Sequence, residues 1–365
     1  MATGTGGQIA FIKVNTLFSA INSVNRYTNF VSESFEHKLE ELEEGAITGR
    51  RDAPPSHKGT DFGEGDVNLE PNPNALGDFL TMFFGTVTSS VITAAGSTAA
   101  NSGSEAGKPQ VYHRWTPLQD SFSPETFLHP YNVMIYRDVG SAFYARGTIA
   151  PKVMIDFEAG QLVKAQVSFM SRDCVRIERT SAIRSLVSSG GKPWVWDMTS
   201  VEVSTIGTGS AALAATNKFE RLAFTFELPH EGVVFLNGEK KYGEFQPNGF
   251  RRINIDGTVS FRDHAEYDAF VAYENRRLRL TALNVNSNML LGNPASVDAT
   301  AFRGYYGFRL HIPEMKYLSW SAPVQGPNRL TAQFTAKAEF SEAEGHMAIA
   351  EMNNVVPVGV YSTMY

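Results

Sequence analysis

Apolar and polar residues alternate along short runs through most of the chain. Period-two alternation that is rich in β-branched and aromatic residues predicts half-buried strands, and therefore a mainly β protein. Asn237-Gly238 and Asn248-Gly249 predict turns between such runs, and Asp256-Gly257 predicts a bulge within one. The runs are Gln8–Val14, Tyr131–Tyr136, Leu162–Phe169, Leu222–Phe226, Ile253–Phe261, Arg277–Leu283, Phe308–Ile312 and Leu330–Phe340.

Few segments have a helical period. The spacing of Leu76, Phe79, Leu80 and Phe83 predicts a helix over 73–84 that stops at Gly85, and a similar pattern predicts a helix over 263–273. Residues 11–27 also fit a short third helix. Residues 33–44 fit either a helix or a strand, and the internal repeat described below favours the strand.

The amino-acid composition excludes some classes of function. The 365 residues carry a net charge of −6, which argues against a protein that coats nucleic acid, since such proteins present a basic face. Charged residues make up 19%, below the usual ~25%, while aromatic residues reach 12%, and we interpret this as a surface partly covered by partners. Cys174 is the one cysteine, which excludes an internal disulfide framework.

Targeting and membrane signals are weak. The N-terminus has no basic and apolar leader pattern, and the most apolar stretch, 79–95, is broken by Gly85 and by Thr and Ser residues. We therefore expect a soluble chain that is made inside the cell, without membrane insertion.

Catalytic motifs are not apparent. Gly103 to Lys108 has the wrong spacing for a phosphate-binding loop, and Asp61-Phe62-Gly63 lacks the other kinase motifs. His230-Glu231 lacks the second histidine of a zinc protease. We expect no enzymatic activity, no metal and no cofactor; a polysaccharide-degrading β enzyme is a remote alternative.

The two halves of the chain resemble each other. The Gly- and Ser-rich stretch 185–193 lies at the midpoint, and similar residues recur on both sides of it at offsets of 189–192. Phe35 and Leu39 match Phe224 and Leu228, while Gly65-Asp-Val67 matches Gly257-Thr-Val259. We therefore predict a tandem duplication, with one unit over 1–185 and a second over 190–365.

The segment 56–85 is the most informative. Its strand leads into Pro71…Leu76-Gly77…Phe79-Leu80…Gly85, and this pattern resembles the tail tube proteins of long, non-contractile-tailed bacteriophages. Residues 112–117, 144–163, 252–270 and 334–353 are similar to that family as well. The resemblance implies two tandem antiparallel β-sandwich or barrel units, each flanked by one short α-helix.

The resemblance also implies a structural function in the virion tail. Units of this kind form rings that stack into a hollow tube for DNA ejection, so three two-unit chains would make a pseudo-hexameric ring. About 24 inner strands at ~4.8 Å spacing and ~40° tilt give a circle roughly 48 Å across, which admits duplex DNA. Expected partners are other copies of the chain and the tape-measure, tail terminator and tail-tip proteins, after synthesis in the host cytoplasm.

Three other structural functions are alternatives to the tail tube. A tail-tip or baseplate hub protein, a capsid-decorating protein or a tube-forming secretion component would use the same sandwich.

Two sets of site residues follow from the tube hypothesis. Carboxylates on or beside strands, without a basic residue opposite, are candidates to line the lumen, where they would repel DNA. These are Glu36, Glu40, Asp66, Glu70, Glu158 and Glu339. The long loops 43–63 and 229–249 and both termini are expected to contact other subunits. The loop candidates are Arg50, Arg51, Pro54, Pro55, His57, Lys58, Asn237, Tyr242 and Asn248.

Overall fold

The computed structural model describes residues 7–13, 26–44, 52, 55–91, 111–119, 131–139, 141–178, 187–188, 192–206, 213–216, 218–284, 306–324, 329–356 and 360. The fold is mainly β, as predicted. The first half contains β1 (Gln8–Lys13), β2 (Arg26–Tyr27), β3 (Ser32–Glu33), β4 (Glu36–Glu43), β5 (Ser56–Leu69), α1 (Leu76–Phe84), β6 (Gly85–Val91), β7 (Val111–Pro117), β8 (Tyr131–Val139), β9 (Ser141–Glu158) and β10 (Lys164–Glu178). The second half contains β11 (Val187–Ser188), β12 (Thr199–Thr205), β13 (Ala214–Thr216), β14 (Phe219–Glu227), β15 (His230–Val233), β16 (Glu244–Pro247), β17 (Arg252–Ser260), α2 (Ala265–Val271), β18 (Arg276–Asn284), β19 (Tyr306–Ser321), β20 (Thr331–Ala338) and β21 (Ile349–Asn354).

One antiparallel run of strands crosses the whole molecule in the order β4-β5-β10-β9-β14-β17-β20-β19. We call it the long sheet. Buried and less buried residues alternate along it, as in a sheet with one buried face: Val153, Ile155 and Phe157 are buried, while Met154 and Asp156 between them are not. The sequence pattern therefore sets which face of the long sheet packs on the core.

A second layer covers that apolar face. In the first half, the Phe11 ring of β1 lies 5.8 Å from the Phe169 ring of β10 and 4.9 Å from the Phe79 ring of α1. Every residue of α1 is buried, and its Phe83 and Phe84 rings meet edge-on at 5.2 Å. Aromatic rings thus fill the space between the layers.

Strand pairing follows the same order in both halves. The first half pairs β1-β8-β9-β10-β5-β4, and the second pairs β12-β18-β19-β20-β17-β14. Among the described residues, three ladders join the halves: β9 with β14, β7 with β21, and the short parallel ladder of β2 with β11. In the first ladder Glu227 lies opposite Lys152, and Arg221 opposite Glu158.

Several sequence predictions are confirmed. Both main helices form close to the predicted bounds, and the ambiguous segment 33–44 contains the strand β4. The turns at Gly238 and Gly249 also form, with positive φ at both glycines. The other predicted strands appear too, some of them longer than expected.

Four predictions are wrong. The third helix over 11–27 is replaced at its described ends by β1 and β2, because the alternation of Gln8–Lys13 dominates there; residues 14–25 lie outside the described part. The loop over 43–63 is strand from Ser56 onward, and the loop over 229–249 contains the hairpin β15–β16.

The predicted bulge at Gly257 is the fourth, since this residue lies in regular ladders with β14 and β20. Its missing side chain makes room for Phe334: a Cβ on Gly257 would lie 2.3 Å from the Phe334 Cζ. The glycine therefore serves a close approach across the ladder.

Candidate assembly surfaces

The face of the long sheet opposite the core is polar. We call it the polar face. Acidic and basic side chains occur on it in nearly equal numbers, with Ser, Thr, Asn and Gln between them. Its charged members are Glu36, Lys38, Glu40, Glu64, Asp66, Lys152, Asp156, Glu158, Lys164, Arg221, Glu227, Arg252, Asp256, Lys316 and Lys337.

Many of these charges are paired across neighbouring strands. The Arg221 guanidinium donates to Asp156 at 2.9 Å, and it lies across the ladder from Glu158. The Lys152 Nζ lies 3.4 Å from the Glu227 Oε1, and Lys38 donates to Glu64. Opposite charges facing each other stabilise the sheet and leave the surface close to neutral.

Three of the predicted lumen carboxylates have basic neighbours after all. Glu339 lies 3.2 Å from Lys316 and 3.0 Å from Lys337. Burial would raise the pKa of Glu339, but hydrogen bonds from these lysines outweigh it and lower that pKa. Glu36 lies 3.4 Å from Lys38, and Glu158 faces Arg221. The expectation that no basic residue lies opposite is therefore wrong for Glu158 and Glu339, whereas Lys38 lies on the same strand as Glu36, and the residue opposite Glu36 is Glu64.

The other three differ in their surroundings. Asp66 accepts a 2.5 Å hydrogen bond from the Ser168 hydroxyl across the ladder between β5 and β10. Glu40 is exposed on β4, and Glu70 is exposed just after β5 ends. For this trio, the described residues provide no ion pair. Which of the six carboxylates line a channel stays a prediction.

The helix α1 covers the core side of the ladder between β9 and β14. Phe226 of β14 is 1% exposed, and its ring lies 5.2 Å from that of Phe83 and 6.0 Å from that of Phe84. Phe157 of β9 and Phe224 of β14 meet edge-on at 6.2 Å. A helix of the first half thus covers a strand of the second, and we call this arrangement the internal seam.

The loop that contains β15 and β16 lies against the first half of the same chain. The Tyr242 ring lies 5.3 Å from that of Phe62, and the Asp61 amide donates to the Lys240 carbonyl at 2.7 Å. Tyr242, which we expected to contact another subunit, is therefore engaged within its own chain.

Asp173 anchors this loop. It is 2% exposed and accepts hydrogen bonds from Arg146 at 2.8 Å and from Lys241 of the loop at 2.6 Å. Burial of Asp173 would raise its pKa, but the hydrogen bonds from the two cations outweigh it, and the pKa is lowered. An ion cluster with a buried carboxylate and two partly exposed cations thus connects the two halves.

The remaining predicted loop residues within the described part of the chain are exposed. Lys58 pairs with Asp61 at 2.7 Å, and His57 lies 3.7 Å from Glu44. Asn237 and Asn248 hold their own turns through hydrogen bonds to the Glu239 amide and to Glu231. Pro55 is exposed, whereas Arg50, Arg51 and Pro54 lie outside the described residues. Contacts of these residues with a second subunit stay a prediction.

Two edges of the long sheet are open within the described part of the chain. β4 pairs with β5 along one edge only, and from Lys316 to Ser321 β19 pairs with β20 along one edge only. Exposed apolar side chains lie beside these edges: Leu39 is 57% exposed on β4, and Val271 is 63% exposed on α2. Sequence analysis missed them, although Leu39 follows the same alternation as the buried Phe226.

The described residues contain no cluster of side chains suited to a metal ion. Burial raises the pKa of the Cys174 thiol to about 11, which leaves it protonated at neutral pH. No helix among the described residues is both long and apolar enough to cross a membrane. These findings leave the polar face and the open edges as the candidate functional surfaces.

The chain is similar to known proteins both in sequence and in structure. The profile of a family described as phage tail tube protein matches residues 3–342. Among solved structures, the chain is similar to the tail of an empty GTA particle in C6 symmetry, at 12% identity and a TM-score of 0.27. That match covers 40% of this chain and 93% of the other. Curated proteins gave no match.

Proposed function

The chain belongs to the phage tail tube protein family and is a structural component of a virion tail, and we propose that three copies of it close each ring of the tube. Family membership indicates a structural role instead of a catalytic one. The ring stoichiometry rests on the internal organisation of the chain.

The observation that carries the proposal is the identical strand-pairing order of the two halves. Six strands in each half pair in the same sequence, and each half has one helix between corresponding strands. Gly65 lies opposite Phe169 in the first half, and Gly257 lies opposite Phe334 in the second. This correspondence supports a duplicated unit, with the chain as a covalent dimer of units.

The long sheet supports a ring of three. Each chain contributes four strands from each half, so three chains supply about 24 strands, as estimated for a ring of six units. Heterologous contacts of this type close into a ring when the rotation between neighbours fits. Closure also removes the open edges, which otherwise invite uncontrolled pairing.

We further propose that the polar face lines the channel through which DNA leaves the particle. Duplex DNA carries one negative charge per ~1.7 Å of its axis, and a basic wall would bind it. Most cations of this face are held by carboxylates, as in the pairs of Arg221 with Asp156 and of Lys152 with Glu227. A wall with compensated charge lets DNA slide without holding it.

Negative-stain microscopy and native mass spectrometry of the purified chain test the assembly. We expect hollow tubes whose rings contain three chains. Rings of six chains would contradict the duplication, and a chain that forms no tube, alone or with a tail-tip initiator, would contradict the assignment of the assembly.

Phage that carry Glu36→Lys and Asp66→Lys test the channel, with Glu342→Lys, at an exposed residue outside the strands of the long sheet, as the control. We expect slower, salt-dependent DNA release in the double variant only. Normal release from intact tails with both lysines would refute the proposal for the polar face.

A further inference from the structure

We propose that neighbouring chains in a ring join through a copy of the internal seam: β4 of one chain pairs with the open edge of β19 of the next, and α2 of that neighbour covers the joint. The inference rests on the proposed ring and adds the interface between its neighbouring chains. The occupant of each open edge is therefore a second copy of this chain.

The positions that correspond in the two halves can be fixed from the ladders. Phe226 lies opposite Ile253, four residues before Gly257, and Leu39 lies opposite Asp61, four residues before Gly65. Leu39 therefore occupies on β4 the place that Phe226 occupies on β14. Glu40 follows Leu39 as Glu227 follows Phe226, although the ladder between β4 and β5 is irregular between Leu39 and Glu41.

The same reasoning applies to the receiving strand. Lys152 of β9 lies opposite Ser168, one residue before Phe169, and Ser321 of β19 lies opposite Gln333, one residue before Phe334. Since Glu227 faces Lys152 across the internal seam, Glu40 of one chain should face Ser321 of the next.

Burial supports the correspondence. Phe226 is fully buried, but Leu39 at the equivalent position is 57% exposed in the single chain. A strand pattern that places an apolar residue on the core face, with nothing covering it, indicates a surface that is buried on assembly.

The two helices support the same correspondence between the halves. α1 ends at Gly85 and α2 is followed by Tyr273, and both residues have a positive φ, at 85° and 54°. Aligning the helices on these residues puts Val271 at the place of Phe83, which packs against Phe226. Val271 is 63% exposed, so the unpartnered end of α2 and the uncovered Leu39 are the two missing sides of one contact.

Cysteine crosslinking tests the register. In a Cys174→Ser background, Glu40→Cys with Ser321→Cys should give covalently linked trimers from assembled tubes under mild oxidation, because directly opposed Cβ atoms lie ~4.5–5.5 Å apart. The matched control is Leu39→Cys with Ser321→Cys. Successive side chains of a strand point to opposite faces, so this pair should give at least tenfold less crosslinked product.

Hydrogen exchange of the unmodified chain provides a second measurement. Amides on the open edge of residues 40–43, which face residues 321 to 318 in the proposed register, should exchange at least tenfold more slowly in tubes than in unassembled chains. Tubes that form without the crosslink, or without this protection, would overturn the proposed joint while leaving the tube itself intact. Absence of tubes would instead count against the proposed function.

Discussion

The correspondence between Phe226 and Leu39 predicts that truncation to alanine affects a different quantity at each position: the stability of the single chain at Phe226, and assembly at Leu39. Phe226→Ala removes a ring that is 1% exposed and that packs against Phe83 and Phe84. Truncating a buried Phe to Ala costs about 3–5 kcal/mol, because the transfer free energy is lost and a cavity remains. We expect a loss of that size in the free energy of unfolding of the unassembled chain.

Leu39→Ala should leave the same free energy within about 0.5 kcal/mol, since the side chain is 57% exposed in the single chain. Its cost should appear in assembly instead. We expect a higher critical concentration for tube formation, by roughly tenfold for a loss of about 1.4 kcal/mol per joint.

Urea unfolding of unassembled chains and sedimentation of tubes over a concentration series measure the two quantities. A Leu39→Ala chain that unfolds as easily as the Phe226→Ala chain would show that Leu39 supports the chain itself. A Leu39→Ala chain with normal stability and normal assembly would refute the interface reasoning.

Three further predictions concern the single chain. Asp173→Ala should lower the free energy of unfolding by about 2–4 kcal/mol in urea titrations at pH 7, because it leaves Arg146 and Lys241 without their shared carboxylate. The lowered pKa of Asp173 means that its contribution is complete above the unfolded-state pKa of about 4 and is lost as the pH falls through the folded-state pKa; an Asp173→Asn chain that keeps the full acid sensitivity would contradict this. Gly257→Ala should destabilise the chain more than Gly160→Ala in parallel thermal melts, because a Cβ at 257 would collide with Phe334, whereas Gly160 has a positive φ of 83° but open space around it; equal melting shifts would refute the close-approach argument. Cys174, with its pKa raised to about 11, should react with iodoacetamide at pH 7.5 at least tenfold more slowly in the native chain than in urea, and equal rates would contradict its protected environment.

The sequence pattern determined the local structure well and the long-range pairing poorly. Alternation located the strands, and helical spacing located α1 and α2, because both signals depend only on neighbouring residues. The β strand from Ser56 was mistaken for a loop since its first residues, Ser56, His57 and Lys58, are polar on both faces and exposed. No local period indicates such a strand.

The candidate surfaces depended on contacts that a linear pattern does not contain. The partners of Glu339 lie on β19 and at the end of β20, and that of Glu158 lies across the internal seam. The predicted duplication rests on offsets near 190, but those offsets on β4 differ by two residues from the correspondence that the ladders support. A difference of two residues keeps each side chain on the same face of its strand, so local patterns do not distinguish the two registers.

The internal seam also has a kinetic consequence. Two units on one chain meet at an effective concentration of the order of millimolar, set by the connecting segment and not by the amount of protein in the cell. In the proposed ring of three, half of the joints are therefore formed when each chain folds, before any collision between chains. Nucleation of such a ring requires three bodies to meet instead of six, so its rate would depend far less steeply on subunit supply. Pairing of β9 with β14 would thus allow that ring to start at concentrations at which separate units would still be dispersed.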